Sequence, residues 1–186
     1  MSTDTKTTRK TQTYPAESII CREGEPGHSM FILLQGLADV TLNSYSNDAK
    51  SIISLQKGSF FGEMSLLEKK PRSATVSART DVVVLEISEK DFPTLLVEDT
   101  AIAYKLLLTL NNRLNNMLNQ LEENNKRFVF NYRKNTTYIT IQNLRERDFE
   151  TIAHENSDYV WTLLKYLSSS LSNLNTKYIK ETSNQL

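Results

Sequence analysis

The chain has 186 residues, 39% of them hydrophobic, which suffices for one ordinary domain with an appendage or for two small domains and excludes a large multidomain enzyme. Its 22 basic and 22 acidic residues cancel, so no whole-chain field draws it toward nucleic acid or an anionic membrane. No apolar run reaches the length of a membrane span, and Ser2 to Thr13 lacks the apolar core of a signal peptide, so a soluble, cytoplasmic chain without a membrane partner is expected.

Punctuation divides the chain, because all five glycines and all four prolines precede residue 94. Between them run short segments of β type: Ser18 to Cys21, Met30 to Leu34, Leu37 to Leu42, Ser51 to Leu55, Ser73 to Ala78 and Val82 to Ile87. In the fifth, Ala74, Val76 and Ala78 alternate with Ser73, Thr75 and Ser77, which assigns the two sets to opposite faces. Strands at this spacing predict a compact antiparallel barrel or roll. The lone Cys21 follows Ile19 and Ile20 and reads as a buried structural thiol.

From about Glu89 the period becomes helical. Leu107, Leu110, Leu114, Met117 and Leu121 form one stripe of a long helix, with asparagines on its other faces. Such a stripe either packs on its own barrel or forms the seam of a two-helix homodimer, and its persistence over about two heptads favours the seam. Glu122 to Lys126 is polar, and Arg127 to Ile141 mixes aromatic and β-branched residues without a clear period. A second amphipathic helix follows, with Val160, Leu164, Leu167, Leu171, Leu174 and Tyr178 on one stripe. Lys90-Asp91-Phe92 with Leu106, Leu107, Leu110 and Leu114 is echoed 57 positions later by Arg147-Asp148-Phe149 with Leu163, Leu164, Leu167 and Leu171. Chance similarity of two amphipathic helices accounts for most of that echo, which predicts a helix–turn–helix-like cap.

One stretch carries chemistry: Gly58 to Leu67, then Pro71-Arg72-Ser73-Ala74-Thr75-Val76. Gly62 lacks a Cβ and lets a ligand approach the main chain, while residues 63 to 67 can form a short helical turn whose first N–H groups have no partner within the helix. Pro71 presets an extended entry to the next strand and so fixes where Arg72 projects. Arg72 offers a planar donor fork to phosphate oxygens, and Ser73 can add a hydroxyl. Glu63, a carboxylate beside an anion site, makes sense as an acceptor from a neutral hydroxyl such as that of a ribose. The plainer alternative is a surface ion pair between Glu63 and Arg72.

Phe61-Gly62-Glu63 with Leu66-Leu67, followed by Pro71 to Val76, resembles the phosphate-binding cassette of cyclic nucleotide-binding domains. The resemblance extends over about residues 12 to 121 through Ile20 to Gly27, Met30 to Gly36, and Leu85 to Ser88 before Phe92. It implies an α+β fold: an antiparallel β-roll (double-stranded β-helix), then a long helix and a mostly helical C-terminal extension. The expected division is a flexible N-terminus at 1–11, the nucleotide-binding domain with its long helix at 12–125, and the extension at 126–186. The resemblance implies that Glu63 holds the ribose 2′-hydroxyl and Arg72 the cyclic phosphate. Main-chain groups around Gly62, Met64, Ser65 and Ala74 complete the cradle beside Phe61 and Ser73, with Ser65 in place of a residue that is commonly Ala. An ungapped alignment from Glu86-Ile87-Ser88 puts the base-facing positions at Met117 and Leu118, both apolar. The implied ligand is cAMP, with cGMP as the alternative, and Ser73 is similar to the bacterial cAMP receptors at that position.

In catabolite activator-type regulators the long helix leads into a DNA-reading domain. Here residues 94 to 186 have neither Gly nor Pro for a tight turn and wing, and residues 126 to 186 hold nine basic against six acidic residues, without a basic stripe on the last helix. DNA is therefore not the expected partner. His28 and His154 lie in no metal-binding spacing, and neither a catalytic triad nor a P-loop occurs, so no metal, cofactor or catalysis is expected. The expected function is that of a non-catalytic cAMP receptor whose ligand repositions the long helix and signals to a protein effector. A cAMP-responsive DNA-binding regulator with a diverged C-terminal domain is the alternative.

Overall fold

A computed structural model describes residues 10–42, 50–120, 131–134, 137–140 and 144–183, which group into two units, 1–94 and 95–186. The first unit is built from β1 (Lys10–Tyr14), β2 (Ile19–Cys21), β3 (Ser29–Gln35), β4 (Ala38–Leu42), β5 (Lys50–Leu55), β6 (Phe60–Phe61), α1 (Glu63–Glu68), β7 (Thr75–Ala78) and β8 (Val82–Ser88). Two antiparallel sheets result, in the orders β1-β8-β3-β6 and β2-β7-β4-β5. Both contribute to one apolar cluster, in which Phe31, Leu33, Val82 and Val84 of the first sheet join Cys21, Ala38, Leu55, Val76 and Ala78 of the second. This is the antiparallel roll that the strand spacing predicts, followed by the long helix and the helical C-terminal part.

Three details differ from the sequence reading. Strand β1 begins at Lys10, inside the segment read as a flexible terminus, because Lys10 to Tyr14 pairs along β8 from Glu86 to Val82. The two-residue β6 is too short to carry a period, yet Phe61 and Phe60 pair with Phe31 and Ile32 of β3. Thr75, assigned to the polar face of its strand, is buried, and its hydroxyl accepts the Glu23 N–H at 3.1 Å.

α2 (Phe92–Glu98) crosses the boundary between the units. The second unit then comprises α3 (Thr100–Gln120), a hairpin of β9 (Asn131–Lys134) and β10 (Thr137–Thr140), α4 (Glu146–Glu155) and α5 (Ser157–Ser183). The hairpin lies in the glycine-free stretch, so the lack of glycine does not prevent one from forming there. Helix α3 packs against α4 and α5, and the Tyr104 hydroxyl donates to the Leu144 carbonyl at 2.6 Å.

This packing gives the stripe a cover within one chain, where the sequence reading favoured a seam between two. Leu107, Leu110 and Leu114 are fully buried within one chain, Met117 is half-buried, and Leu121 lies outside the described residues. The stripe on α3 is covered by helices of its own chain, because α5 presents a matching stripe of Val160, Leu164, Leu167 and Leu171. Leu174 is half-buried, and the side chain of Tyr178 lies outside the described residues.

The echo at 57 positions extends to the helix boundaries: α3 opens at Thr100 and α5 at Ser157, each after a shorter helix. Phe92 and Phe149, Leu95 and Ile152, Ala103 and Val160, Leu106 and Leu163, and Leu107 and Leu164 are buried in register. Even the buried polar positions Asn111 and Ser168 correspond.

Candidate functional site

Strand β6 delivers Phe61 to the core and ends at Gly62, whose φ of 73° and ψ of 1° place it in the left-handed region that glycine adopts without strain. α1 starts at the next residue, Glu63, and stops at Lys69, which is also left-handed with φ 55°. Pro71 then leads the chain back so that the Arg72 N–H donates to the Glu25 carbonyl at 2.8 Å and the Gly24 N–H donates to the Arg72 carbonyl at 2.9 Å. These two bonds fix the Arg72 backbone against the β2–β3 loop.

The Arg72 side chain folds inward and is only 9% exposed. Its Nη1 donates to the Ser29 carbonyl at 2.7 Å, the Gly62 carbonyl at 2.8 Å and the Ser65 hydroxyl at 2.7 Å, while Nη2 reaches the Ser29 hydroxyl at 3.3 Å. The Ser65 hydroxyl in turn donates to the Gly62 carbonyl at 3.1 Å. Cζ lies 5.5 Å from the Phe31 ring centroid, and Phe31 stacks on Phe61 at 5.1 Å. A Cβ at Gly27 would strike Nε, Cζ and the Ser65 hydroxyl, and one at Gly62 would strike Nη1. Two glycines thus pinch the guanidinium.

All of its acceptors are neutral. Among the described residues no carboxylate pairs with Arg72, and Glu63 is 2% exposed, so the alternative of a surface ion pair between Glu63 and Arg72 does not hold. A buried cation without a counter-ion is costly unless an anion arrives, and its four hydrogen bonds offset only part of that cost. Near this centre Cys21 is buried, and burial pushes its thiol up to about 11 against the opposing pull of Arg72, which keeps it protonated and unreactive at neutral pH.

Of the sequence-predicted residues, Phe61, Gly62, Glu63, Met64, Ser65, Arg72, Ser73 and Ala74 all lie on β6, α1 and the segment leading to β7. Arg72 touches Gly62 and Ser65, and the exposed Ser73 hydroxyl contacts the Met64 sulfur at 3.9 Å. Met117 and Leu118 are on α3 in the second unit, half-buried and buried respectively. Ser29 and Gly27 escaped the sequence reading, because a serine 43 residues from its arginine leaves no local spacing to detect. His28 and His154 are exposed, and among the described residues no cluster of metal-ligating side chains occurs. No helix of the described residues is long and apolar enough to cross a membrane.

Comparison with known proteins fits this geometry. A sequence model of the cyclic nucleotide-binding domain family matches residues 11–99. The chain is 40% identical over 94 residues to a cyclic nucleotide-gated potassium channel of Mesorhizobium japonicum, covering 50% of this chain and 24% of that protein. It is 42% identical over 88 residues to a cAMP-dependent protein kinase regulatory subunit of Aspergillus niger, covering 46% of this chain and 21% of that protein. The chain therefore spans about a quarter or less of the length of these curated relatives. A solved cAMP-binding acyltransferase from Mycobacterium smegmatis shares the fold, with a TM-score of 0.52 at 19% identity over 59% of this chain and 34% of that one. Residues 11–99 of this chain, Arg72 among them, belong to the cyclic nucleotide-binding domain family.

Proposed function

We propose that the chain is a receptor for a cyclic mononucleotide, cAMP in preference to cGMP, and that ligand entry repositions α3 and signals to a protein effector. The observation that carries the reading is Arg72, a guanidinium 9% exposed and held by neutral acceptors alone. A cyclic phosphate would supply the anionic partner that Arg72 itself lacks, and Glu63 would accept from the ribose 2′-hydroxyl. The relatives named above, a cAMP-dependent protein kinase regulatory subunit and a cyclic nucleotide-gated potassium channel, support a cyclic nucleotide as the ligand class.

Two contacts within the first unit support such a coupling. Lys69, at the end of α1, pairs with Glu89 at 3.1 Å, and the Glu89 N–H donates to the His28 carbonyl at 2.8 Å. A movement of α1 on ligand entry would be felt through these contacts at the segment that opens α2. The base preference would rest on an apolar surrounding of the base, since guanine would leave its carbonyl and amino group unsatisfied where adenine leaves less. The Ser73 hydroxyl is the group that would narrow that preference.

Calorimetric titration of the full chain with cAMP tests the reading. Arg72→Ala should weaken binding roughly ten- to a hundredfold, the worth of about 1.5–3 kcal/mol of charge-assisted hydrogen bonding. Arg72→Lys should recover only part of it, because a point charge does not reproduce the fork. Wild-type affinity in Arg72→Ala overturns the proposal, and tighter binding of cGMP overturns the base preference. Salt-sensitive retention on immobilised DNA would favour the second reading, a DNA-binding regulator.

A further inference from the structure

An arginine has five N–H donors, and a phosphate takes two of them in parallel only if the guanidinium is held still in the right orientation. In this chain the holding is done at one end. Nη1 is surrounded by three acceptors, the carbonyls of Ser29 and Gly62 and the Ser65 hydroxyl, all within 2.8 Å. Nη2 has a single long contact, to the Ser29 hydroxyl at 3.3 Å, and among the described residues Nε donates to no protein acceptor. Nε and Nη2 form the side edge of the guanidinium, the edge that can grip two phosphate oxygens at once. The protein thus takes up the Nη1 end with strong acceptors and leaves the side edge poor in them, with Gly27 packed beside Nε where a side chain would not fit.

We infer that Ser29 and Ser65 are positioning residues for the anion, their hydroxyls locking the Nη1 end of Arg72 so that the Nε–Nη2 edge is presented preformed to the cyclic phosphate. The inference rests on the nucleotide-receptor reading above. Ser65 sits on α1, and through its second bond to the Gly62 carbonyl it closes a three-membered ring of contacts with Arg72. Ser29 opens β3 and is buried, so its hydroxyl approaches from the sheet. The two serines therefore fix the arginine between the helix and the sheet, and side-chain freedom is lost at folding instead of at binding. An alanine at 65 leaves the two carbonyls in place but lets the guanidinium tilt away from α1.

The test is a set of titrations of the full chain with cAMP, with adenosine as a phosphate-free probe and thermal melting as a control for folding. Ser65→Ala and Ser29→Ala should each weaken cAMP about three- to tenfold while leaving the weaker binding of adenosine unchanged. The effect of Ser65→Ala should disappear when it is introduced into Arg72→Ala, as two groups acting through one contact require. If Ser65→Ala and Ser29→Ala bind cAMP as the wild type does, or more tightly, while Arg72→Ala still loses it, the serines do not position the arginine and only this inference falls. A uniform loss for cAMP and adenosine, persisting in the Arg72→Ala background, assigns the serines a purely structural role and also overturns it. If wild type binds no cyclic nucleotide, or Arg72→Ala binds normally, the receptor reading falls and takes the inference with it.

Discussion

In the first unit, the buried polar residues Ser29, Ser65 and Arg72 bond to one another and share a small region with the buried Glu63. In α3 and α5 of the second, the buried polar residues among those described are single positions within apolar stripes: Asn111 on one helix and Ser168 on the other. The contrast separates two uses of the interior. Buried apolar stripes stabilise, at about 25 cal/mol per Å² of apolar surface removed from water. A buried guanidinium without a bonded counter-ion is costly to keep, and its hydrogen bonds to neutral acceptors offset only part of that cost.

The sharpest way to break the comparison is at Leu114, fully buried on α3. Leu114→Ala should cost about 2–5 kcal/mol of stability, read as a lower urea midpoint. If the variant kept its stability and instead changed from dimer to monomer in the ultracentrifuge, the stripe would be a seam between chains after all. A smaller effect is expected at Asn111, whose side-chain oxygen is buried without a hydrogen-bond partner. Asn111→Leu should raise the melting temperature, by about 1 kcal/mol of relieved desolvation; a lower melting temperature would mean that the asparagine is needed for the register of α3.

The smallest effect belongs to the surface of the first unit. Arg79 grips Asp39 through Nε at 2.8 Å, and this hydrogen bond, supported by Ser54, holds the Asp39 carboxyl below its ordinary range despite some opposing burial. Because the folded value is depressed, the stabilisation is present above the ordinary carboxylate range and fades as pH falls through the folded value. Arg79→Gln should therefore flatten the decline of melting temperature below about pH 4. Unchanged acid sensitivity would show that the pair contributes nothing, as many exposed pairs do.

Legibility followed distance along the chain. The cassette from Phe61 to Ala74 could be read because its glycine, carboxylate, proline and arginine fall within one short segment, and that segment folds as one local piece. The acceptors of Arg72 could not all be read. Ser65 is seven residues away, but Ser29 is 43 residues away and meets Arg72 only after β3 has entered its sheet. Lys10 to Tyr14 lacks apolar alternation and is a strand because β8 offers it an edge, a tertiary cause that composition does not carry. Periodicity revealed the centre of each stripe, since Leu107, Leu110 and Leu114 on α3 and Val160, Leu164, Leu167 and Leu171 on α5 are buried as read, but it left out the buried Ala103 and Leu118. It could not say that each stripe is the other's cover, since a stripe records that something packs there and not what.

The pairing of α3 with α5 changes how the molecule responds to dilution. Two helices on separate chains meet only above their dissociation constant, so anything that depends on their contact fades as protein becomes scarce. Here both helices belong to one chain, and their docking is a first-order event at a fixed effective concentration set by the connecting segment. The α3–α5 contact is consequently independent of how many copies of the chain are present.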